Sequence, residues 1–428
     1  MTSPLTPLRS RLRWILIFWM FLVSAIAYMD RVNISISGQA IAREFHLTDY
    51  QLGAVFSAFV FGYALFQAPG GWVADRLGPR KTLAFGVIWW AVFCALITLL
   101  GAGFPLLVLS MIAIQFSLGV GESVVYPSSN CVVANWIPTN ERGLANGIIF
   151  AGVGFGAGVT PPLMTYVLTH FGWRAAFWLS AGLGLIAGGV WYLLARDRPR
   201  QHPAITPPEL AHIEAGLPQK IASGAAPRLP LRAIFANRDM QLVTFSYFTY
   251  GYAAYIFFTW FFIYLNRVRH LDLRESSYLT SLPFLCMAFG SSAGGWLSDR
   301  IARRWGRRAG RCWLAVFGIG FAAIFLAIGA RVSSAHLASF VLAGGAGALY
   351  ISQSSFWSVS ADIGGTSAGL VSGLMNMGAQ LGSTVTGVLT PILAHRFGWT
   401  WSFLAAAILC ALGSLAWIRV DPDSRIRS

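Results

Sequence analysis

The sequence predicts an all-α integral membrane protein with twelve transmembrane helices, arranged as two parallel six-helix repeats. Three observations support this fold class: apolar stretches long enough to cross a bilayer recur along the chain, basic residues collect on alternate connections, and the two halves share motifs in the same order. Of the 428 residues, 56% are hydrophobic and only 11% are charged, which is too apolar for a soluble chain of this length.

The apolar segments can be assigned in order, because each has roughly the 20 residues that a membrane-spanning helix requires. The predicted helices are 14–37, 52–74, 82–101, 105–127, 142–168, 174–195, 240–265, 277–298, 310–330, 335–359, 366–393 and 399–418. The first is too long for a signal-peptide core and has no convincing cleavage site, so we expect it to be a membrane helix. The polar stretch 196–239 is rich in Pro and Ala, which is typical of a linker.

The positions of the basic residues predict the orientation. A net charge of +15 would also suit a nucleic-acid-binding protein, but membrane proteins keep an excess of Lys and Arg in cytoplasmic loops. Most Lys and Arg fall on one side of the predicted helices, and the other side receives Arg43, Arg174, Arg267, Arg269, Arg274, Arg331 and Arg396. We therefore expect a multi-pass protein of the cell (inner) membrane, with both termini cytoplasmic and no nucleic-acid partner.

An internal repeat divides the chain. Gly71-Trp-Val-Ala-Asp-Arg76 recurs as Gly295-Trp-Leu-Ser-Asp-Arg300, and Phe171-Gly-Trp173 recurs as Phe397-Gly-Trp399. A glycine row also recurs, with the members Gly143, Gly147, Gly152, Gly156, Gly369, Gly373, Gly378 and Gly382. Small residues at this spacing let membrane helices approach closely. We predict an N-terminal six-helix bundle at 1–195, a cytoplasmic linker loop at 196–239 and a C-terminal six-helix bundle at 240–428.

The sequence shows no motif typical of a soluble enzyme. The five cysteines are scattered without metal-ligand or redox spacing, so we expect reduced packing residues and no metal site. There is no nucleophile with a base and no nucleotide-binding loop, and we expect neither enzymatic activity nor a cofactor.

The segment from Gly71 to Lys81, between the second and third predicted helices, resembles the signature loop of the major facilitator superfamily. An acidic residue at a helix end can pair with neighbouring Arg and with exposed helix ends, and such a latch stabilises one conformer of a rocking protein. We expect this gating role for Asp75, Arg76, Arg80, Asp299 and Arg300. The alternative is a solvated turn that only fixes the topology.

Further motifs resemble the anion:cation symporter branch of that superfamily, which includes sugar-acid permeases for galactonate, glucarate and hexuronates, and phthalate-type permeases. They are Tyr28-Met-Asp-Arg-Val-Asn33, Gly121-Glu122, Tyr126-Pro127, Tyr250-Gly-Tyr252, Thr259-Trp260, Ser352-Gln353, Phe356-Trp357, Ala361-Asp362 and Gly373-Leu-Met-Asn376. The resemblance implies proton-coupled or ion-coupled movement of an organic anion between two halves that alternate in access.

Charged side chains at membrane depth are costly, so each is a functional hypothesis. The predicted spans contain Asp30, Arg31 and Glu122. Arg31 is expected to hold a substrate carboxylate, because a guanidinium offers a planar donor fork and the family's Arg in this motif contacts the anion. Alternatively, Arg31 pairs with a nearby acid or reaches the outer interface.

Proton coupling is expected from carboxylates, because the histidines fall in loops or at helix ends. Glu122 is the first candidate, and Asp30 is a second proton site or part of a gate. Sugar-acid permeases commonly carry an Arg seven residues before this Glu, where the present chain has Gln115. Glu122 therefore lacks that partner and should be easier to protonate, and a doubly charged substrate is disfavoured.

Aromatic and amide side chains are expected to complete the substrate site, although packing and helix-helix hydrogen bonding would also explain them. These residues are Tyr28, Tyr63, Tyr252, Gln353, Ser354, Trp357, Asn376 and Gln380. The predicted function is symport of an organic anion with protons by a monomer in the lipid bilayer. Export, exchange or sodium coupling is the main alternative, followed by a non-transporting membrane sensor.

Overall fold

The computed structural model describes residues 11–217 and 229–424, and the regular structure within these ranges is helical. The ends of the two predicted halves at 1–10 and 425–428, and the middle of the linker at 218–228, lie outside the described residues.

The first half contains six membrane helices, α1 to α6. They are α1 (Leu12–Phe45), α2 (Asp49–Leu77), α3 (Pro79–Leu96), α4 (Leu107–Ser123 continued by Val125–Trp136), α5 (142–171) and α6 (173–194). Helical hydrogen bonding is continuous over Arg142–Leu194, but Gly172 has a φ of 79° and separates α5 from α6. A glycine fits there because this backbone region is costly for residues with a Cβ.

The second half contains α7 to α12 in the same order. They are α7 (Arg238–Thr259), α8 (Leu273–Trp305), α9 (Leu314–Gly329), α10 (Ala335–Ile351 continued by Gln353–Gly364), α11 (Ala368–Phe397) and α12 (Trp399–Ile418). Gly398, with a φ of 89°, separates α11 from α12 as Gly172 separates α5 from α6. Two short helices, Pro207–Gly216 and Leu231–Ala236, lie in the linker.

The helices correspond one to one with those predicted, but several are longer. The fourth was expected to end at 127 and continues to Trp136, and α8 runs over Leu273–Trp305 where 277–298 was expected. Apolarity marks the part of a helix inside the hydrocarbon core, whereas the backbone continues as helix into the polar boundary. The pattern therefore located the spans better than their ends.

Nine stretches in the described ranges are long and apolar enough to cross a membrane. One of them, Ala335–Phe397, contains both α10 and α11. The two helices that fall short of this criterion are α7 and α8, whose sequences are interrupted by tyrosines, serines and arginines. Both of them nevertheless pack beside the apolar helices of the bundle.

The two halves meet most closely where the repeated glycines lie. A Cβ built on Gly71 of α2 would stand 2.1 Å from the carbonyl oxygen of Gly369 on α11. In the symmetric position, a Cβ on Gly295 of α8 would stand 2.2 Å from the carbonyl oxygen of Gly143 on α5. Only glycine permits these contacts, so α2 crosses α11, and α8 crosses α5, with their backbones touching.

Both crossings lie near one end of the bundle, which we call the terminal end because α1 begins there and α12 ends there. The linker is fastened to it: the buried Glu209 carboxylate accepts hydrogen bonds from the backbone N–H groups of Leu12 and Arg13, both at 3.2 Å. At the opposite, outer end, Glu44 accepts a 2.7 Å hydrogen bond from the Trp173 indole and pairs with Arg174 at 2.8 Å. These donors hold the pKa of Glu44 below its ordinary value.

Candidate functional site

A cavity of about 750 Å³ lies between the two halves. Its wall combines polar groups of the first half, Asp30, Arg31 and Gln115, with Tyr255 of α7 and Thr384 of α11. Phenylalanine and aliphatic side chains form most of the remaining wall. A largely apolar cavity with a few convergent polar groups is the usual form of a small-molecule site.

Arg31 and Glu122 form an ion pair at this cavity. The Arg31 Nε donates to Glu122 Oε1 at 2.8 Å, and the two side chains are 11% and 1% exposed. Arg31 Nη2 and Glu122 Oε2 are buried and have no hydrogen-bond partner in the described part of the chain. The predicted anion anchor and the predicted proton carrier are therefore each other's partner, and Glu122 is paired despite the glutamine at position 115.

Three aromatic rings surround the Arg31 guanidinium. Its central carbon lies 4.1 Å from the ring centroid of Tyr63, 4.7 Å from that of Tyr28 and 5.3 Å from that of Phe59. Cation–π attraction favours this enclosure and holds the planar group in a fixed orientation. The rings leave few directions from which a substrate carboxylate can approach.

Asp30 lines the same cavity but faces away from its neighbour Arg31. Its carboxylate is oriented toward the Ser180 hydroxyl and the Trp90 indole. Neither Asp30 oxygen makes a hydrogen bond of standard geometry with any described residue. Consecutive helix residues differ in direction by about 100°, which keeps Asp30 and Arg31 apart.

The second half contributes neutral polar groups predicted for the site, which are buried but do not line the cavity. Gln353 Nε2 and the Trp357 indole both donate to the Tyr247 hydroxyl at 2.9 Å. The Ser354 hydroxyl is buried and has no hydrogen-bond partner among the described residues. Trp357 also contacts the first half, with its ring centroid 4.9 Å from that of Phe150. This network joins α7 and α10 and reaches across the interface between the halves.

Two further predicted residues lie on α11. Asn376 Nδ2 donates to Gln67 Oε1 of α2 at 3.0 Å, and both side chains are buried. This amide pair bridges the halves between Arg31 and the crossing at Gly71. Gln380 follows one turn later and is 9% exposed. Asn376 was expected to face substrate, and in this conformer it pairs with the opposite half.

Tyr252 is not brought into the cavity. Its hydroxyl faces Thr390 of α11, whereas Tyr255, three residues later, lines the cavity near Arg31. Sequence analysis did not select Tyr255 from the aromatic residues of this helix. It also missed Gln67, although an amide in the middle of an apolar span is a signal of its own.

The two repeated aspartates make matching contacts between the halves at the terminal end, which we call the latches. Asp75 accepts hydrogen bonds from Gly369 N at 2.9 Å and Leu370 N at 2.8 Å, at the start of α11. Asp299 likewise accepts from the first backbone N–H groups of α5, those of residues 143 and 144, at 2.9 and 2.6 Å. A carboxylate at a helix N-terminus is stabilised by the unpaired N–H groups and the helix dipole.

The arginines of the signature loops have different partners. Arg76 and Arg300 are exposed, and their guanidinium carbons lie 4.1 Å and 5.2 Å from the rings of Trp72 and Trp296. Arg80 donates through Nε to a backbone carbonyl of α6 at 2.9 Å. Each of these three contacts lies within one half of the chain.

The terminal end also contains a buried ion cluster that sequence analysis did not identify. Asp362, at the end of α10, pairs with the fully buried Arg142 of α5 and with Arg307. Arg311 pairs with the latch residue Asp299 at 2.8 Å. These residues belong to different helices and loops, so their proximity depends on the tertiary fold. The terminal end is closed in this conformer, with the cavity on the outer side of the closure.

The comparisons with known proteins agree with this architecture. The sequence profile of the Major Facilitator Superfamily matches residues 20–372 and 301–428. The chain is 35% identical over 418 residues to "Probable sulfoacetate transporter SauU" of Cupriavidus necator, covering 97% of this chain and 95% of that protein. It is 28% identical over 417 residues to the hexuronate transporter of Bacillus subtilis, covering 94% and 93%.

A solved structure has the same fold. The proton:xylose symporter XylE, bound to 6-bromo-6-deoxy-D-glucose, superposes with a TM-score of 0.74 and covers 96% of both chains at 14% identity.

Proposed function

The chain belongs to the major facilitator superfamily, in its branch of sugar-acid and anion transporters, and from this premise we propose that it is a proton-coupled symporter of an organic monoanion. Membership makes it a multi-pass secondary transporter of anions and not an enzyme. The proposal adds the coupling ion, uptake into the cytoplasm, a sugar acid or other carboxylate as substrate, the inner membrane with cytoplasmic termini, and a monomeric carrier.

The observation that carries the proposal is the Arg31–Glu122 pair. A substrate carboxylate and the Glu122 carboxylate compete for the same guanidinium, because each offers it an acceptor pair. Protonation of Glu122 removes its charge and releases Arg31 for the anion. Proton binding thereby favours anion binding, and by linkage anion binding favours the proton.

The rest of the cycle follows from alternating access. The outer side supplies proton and anion to the cavity while the two latches hold the terminal end closed. With Arg31 neutralised by substrate and Glu122 by its proton, the halves rock, the latches separate and both ligands leave at the terminal end. Amide and hydroxyl groups of α10 and α11, including Gln353, Ser354, Asn376 and Gln380, would then contact the substrate. Tyr252 is not part of this proposal.

Uptake into proteoliposomes tests the mechanism. With an acidic exterior, we expect a labelled hexuronate or another organic monoanion to accumulate in wild-type vesicles. Glu122→Gln should retain exchange of substrate across the membrane but accumulate less of it, because the proton carried by Glu122 no longer contributes to the driving force. Arg31→Ala should lose substrate binding.

The matched controls are Glu44→Gln and Arg174→Ala at the outer end, which remove the same chemical groups away from the cavity and should leave accumulation intact. Accumulation that is independent of the pH gradient, or that is undiminished in Glu122→Gln, would refute proton coupling through α4. Accumulation driven by a sodium gradient would favour the sodium-coupled alternative.

A further inference from the structure

One exposed face of α8 changes character along its length. Leu285 and Phe289 are 56% and 78% exposed, Trp296 follows at 48%, and Arg300 and Arg304 are exposed at the terminal end. Their spacings of four and seven residues place them on the same side of the helix. The face therefore runs from apolar, through aromatic, to basic. This order complements a membrane-embedded phospholipid, whose acyl chains are apolar and whose headgroup carries a negative phosphate.

The basic end of this face is not neutralised by the protein. Arg300, Arg303, Arg304 and Arg308 are exposed, and in residues 11–217 and 229–424 no carboxylate lies within 4 Å of their guanidinium groups. The acid nearest in sequence, Asp299, faces inward, where it is held by Arg311 and the start of α5. We call these four arginines the α8 basic patch.

Tryptophan side chains lie beside the α8 basic patch. The guanidinium carbon of Arg300 lies 5.2 Å from the Trp296 ring, and that of Arg304 lies 5.4 Å from the Trp305 ring. Trp305 is 65% exposed, and Trp313, at the start of the next helix, is 43% exposed. Indole rings favour the level of the lipid headgroups, so the patch lies where phosphate groups are found.

The first half repeats only part of this arrangement. Arg76 stacks on Trp72 as Arg300 stacks on Trp296. One further arginine is engaged in the same way in both halves, because Arg80 donates to the α6 carbonyl of Tyr192 at 2.9 Å and Arg308 donates to the α12 carbonyl of Ile418 at 3.3 Å. The halves differ between this first arginine and the following glycine of positive φ, where the first half has only Leu77 and the second half adds the exposed Arg303 and Arg304. The four-arginine patch is thus a property of the second half.

We propose that the α8 basic patch binds the headgroup of an anionic phospholipid whose acyl chains lie along Leu285 and Phe289. Guanidinium groups match phosphate oxygens with two donors each, and several arginines at a membrane surface attract anionic lipid. The bound headgroup fixes the turn of α8 that also carries the latch residue Asp299. Occupancy therefore stabilises the folded protein.

The experiment uses the full chain, purified in a neutral detergent and titrated with phosphatidylglycerol or phosphatidylcholine. Binding is measured by native mass spectrometry and by the shift in the thermal unfolding midpoint. The variant Arg300→Gln/Arg304→Gln/Arg308→Gln is compared with Arg43→Gln/Arg331→Gln/Arg396→Gln, which makes the same charge change at exposed positions of the outer end.

We expect wild type and the outer-end variant to bind phosphatidylglycerol and to gain thermal stability from it. The patch variant should bind it at least about tenfold more weakly, since each arginine near a surface contributes roughly fivefold. Equal phosphatidylglycerol binding by the patch variant would overturn the proposal. Equal binding of both lipids by wild type, or the same stabilisation by inorganic phosphate, would overturn it as well.

Discussion

At the scale of single residues, Arg31 shows how a charge is kept at membrane depth. One edge of its guanidinium pairs with Glu122, and its face is covered by Tyr28, Phe59 and Tyr63. A buried ion pair of this kind contributes little net stability, because the cost of removing both charges from water offsets their attraction. Its value lies in the proposed exchange of partners, in which substrate replaces Glu122.

Two tyrosines on α7 differ in their position relative to the cavity. Tyr255 lines the cavity near Arg31, whereas the Tyr252 hydroxyl faces Thr390. We expect Tyr255→Phe to raise the KM for substrate about three- to tenfold, because one hydrogen bond contributes about 0.5–1.5 kcal/mol. Tyr252→Phe, the matched control, should leave KM unchanged in the same uptake assay. The reverse pattern would mean that α7 presents its other face to the substrate.

The same pair shows where prediction from sequence stops. Asp30, Arg31 and Glu122 could be selected because a charge inside an apolar span is visible in the sequence. The choice between Tyr252 and Tyr255 depends on how α7 is rotated against α11, and packing between helices fixes that rotation. The pairing of Asn376 with Gln67 was likewise invisible, since it joins residues of opposite halves.

At the scale of helices, the prediction of close approach at the repeated glycines is confirmed. Gly143 and Gly369 contact the backbones of α8 and α2, and later members of each row contact further helices: Gly152 contacts α1, and Gly382 contacts α7. A periodic row of small residues identifies such a surface without naming the partner. The ion cluster of Arg142, Asp362 and Arg307 left no comparable periodic signal.

The latches are expected to open together. Asp299→Asn weakens the α5–α8 latch, and carboxylate interactions with a helix N-terminus contribute about 0.3–2 kcal/mol. Cys131 lies at the other latch, where its buried thiol donates to Asp75 at 3.1 Å. If both latches separate in one rocking motion, Asp299→Asn should increase the rate at which a thiol reagent alkylates Cys131 by about two- to thirtyfold.

Cys410 of α12, which is also buried, is the internal control and should stay unreactive. An unchanged rate at Cys131 would favour the alternative that the signature loops are solvated turns without a gating role. Equal increases at both thiols would indicate general loosening of the protein and would contradict a latch.

At the scale of the whole molecule, the halves repeat in backbone but differ in charge. The first half supplies Asp30, Arg31 and Glu122, while the second supplies amides and hydroxyls around Tyr247. The repeat predicted the two-half architecture, because its motifs recur in order. It could not predict this division of chemistry, since the repeated motifs lie at crossings and turns outside the cavity.

We expect Asp30 to determine how many charges cross the membrane in one cycle. Its two buried oxygens make no standard hydrogen bond with a described residue, and an unpaired carboxylate at membrane depth is costly. We therefore expect Asp30 to carry a proton in this closed-terminal conformer, so that two protons and one monoanion move together and transport one net positive charge. A potential of 100 mV, inside negative, then supplies about 2.3 kcal/mol, or roughly a fiftyfold increase in accumulation.

Potassium-loaded proteoliposomes treated with valinomycin measure this directly. Wild-type accumulation of a monoanion should rise when the inside is made negative. The variant Asp30→Asn moves one proton with one anion, so it should accumulate substrate with a pH gradient, and its accumulation should not depend on the membrane potential. Exchange of labelled substrate at zero potential serves as the control that the variant is folded. If Asp30→Asn still responds to the potential, the second charge is carried elsewhere, and if wild type does not respond, Glu122 alone couples transport to the proton.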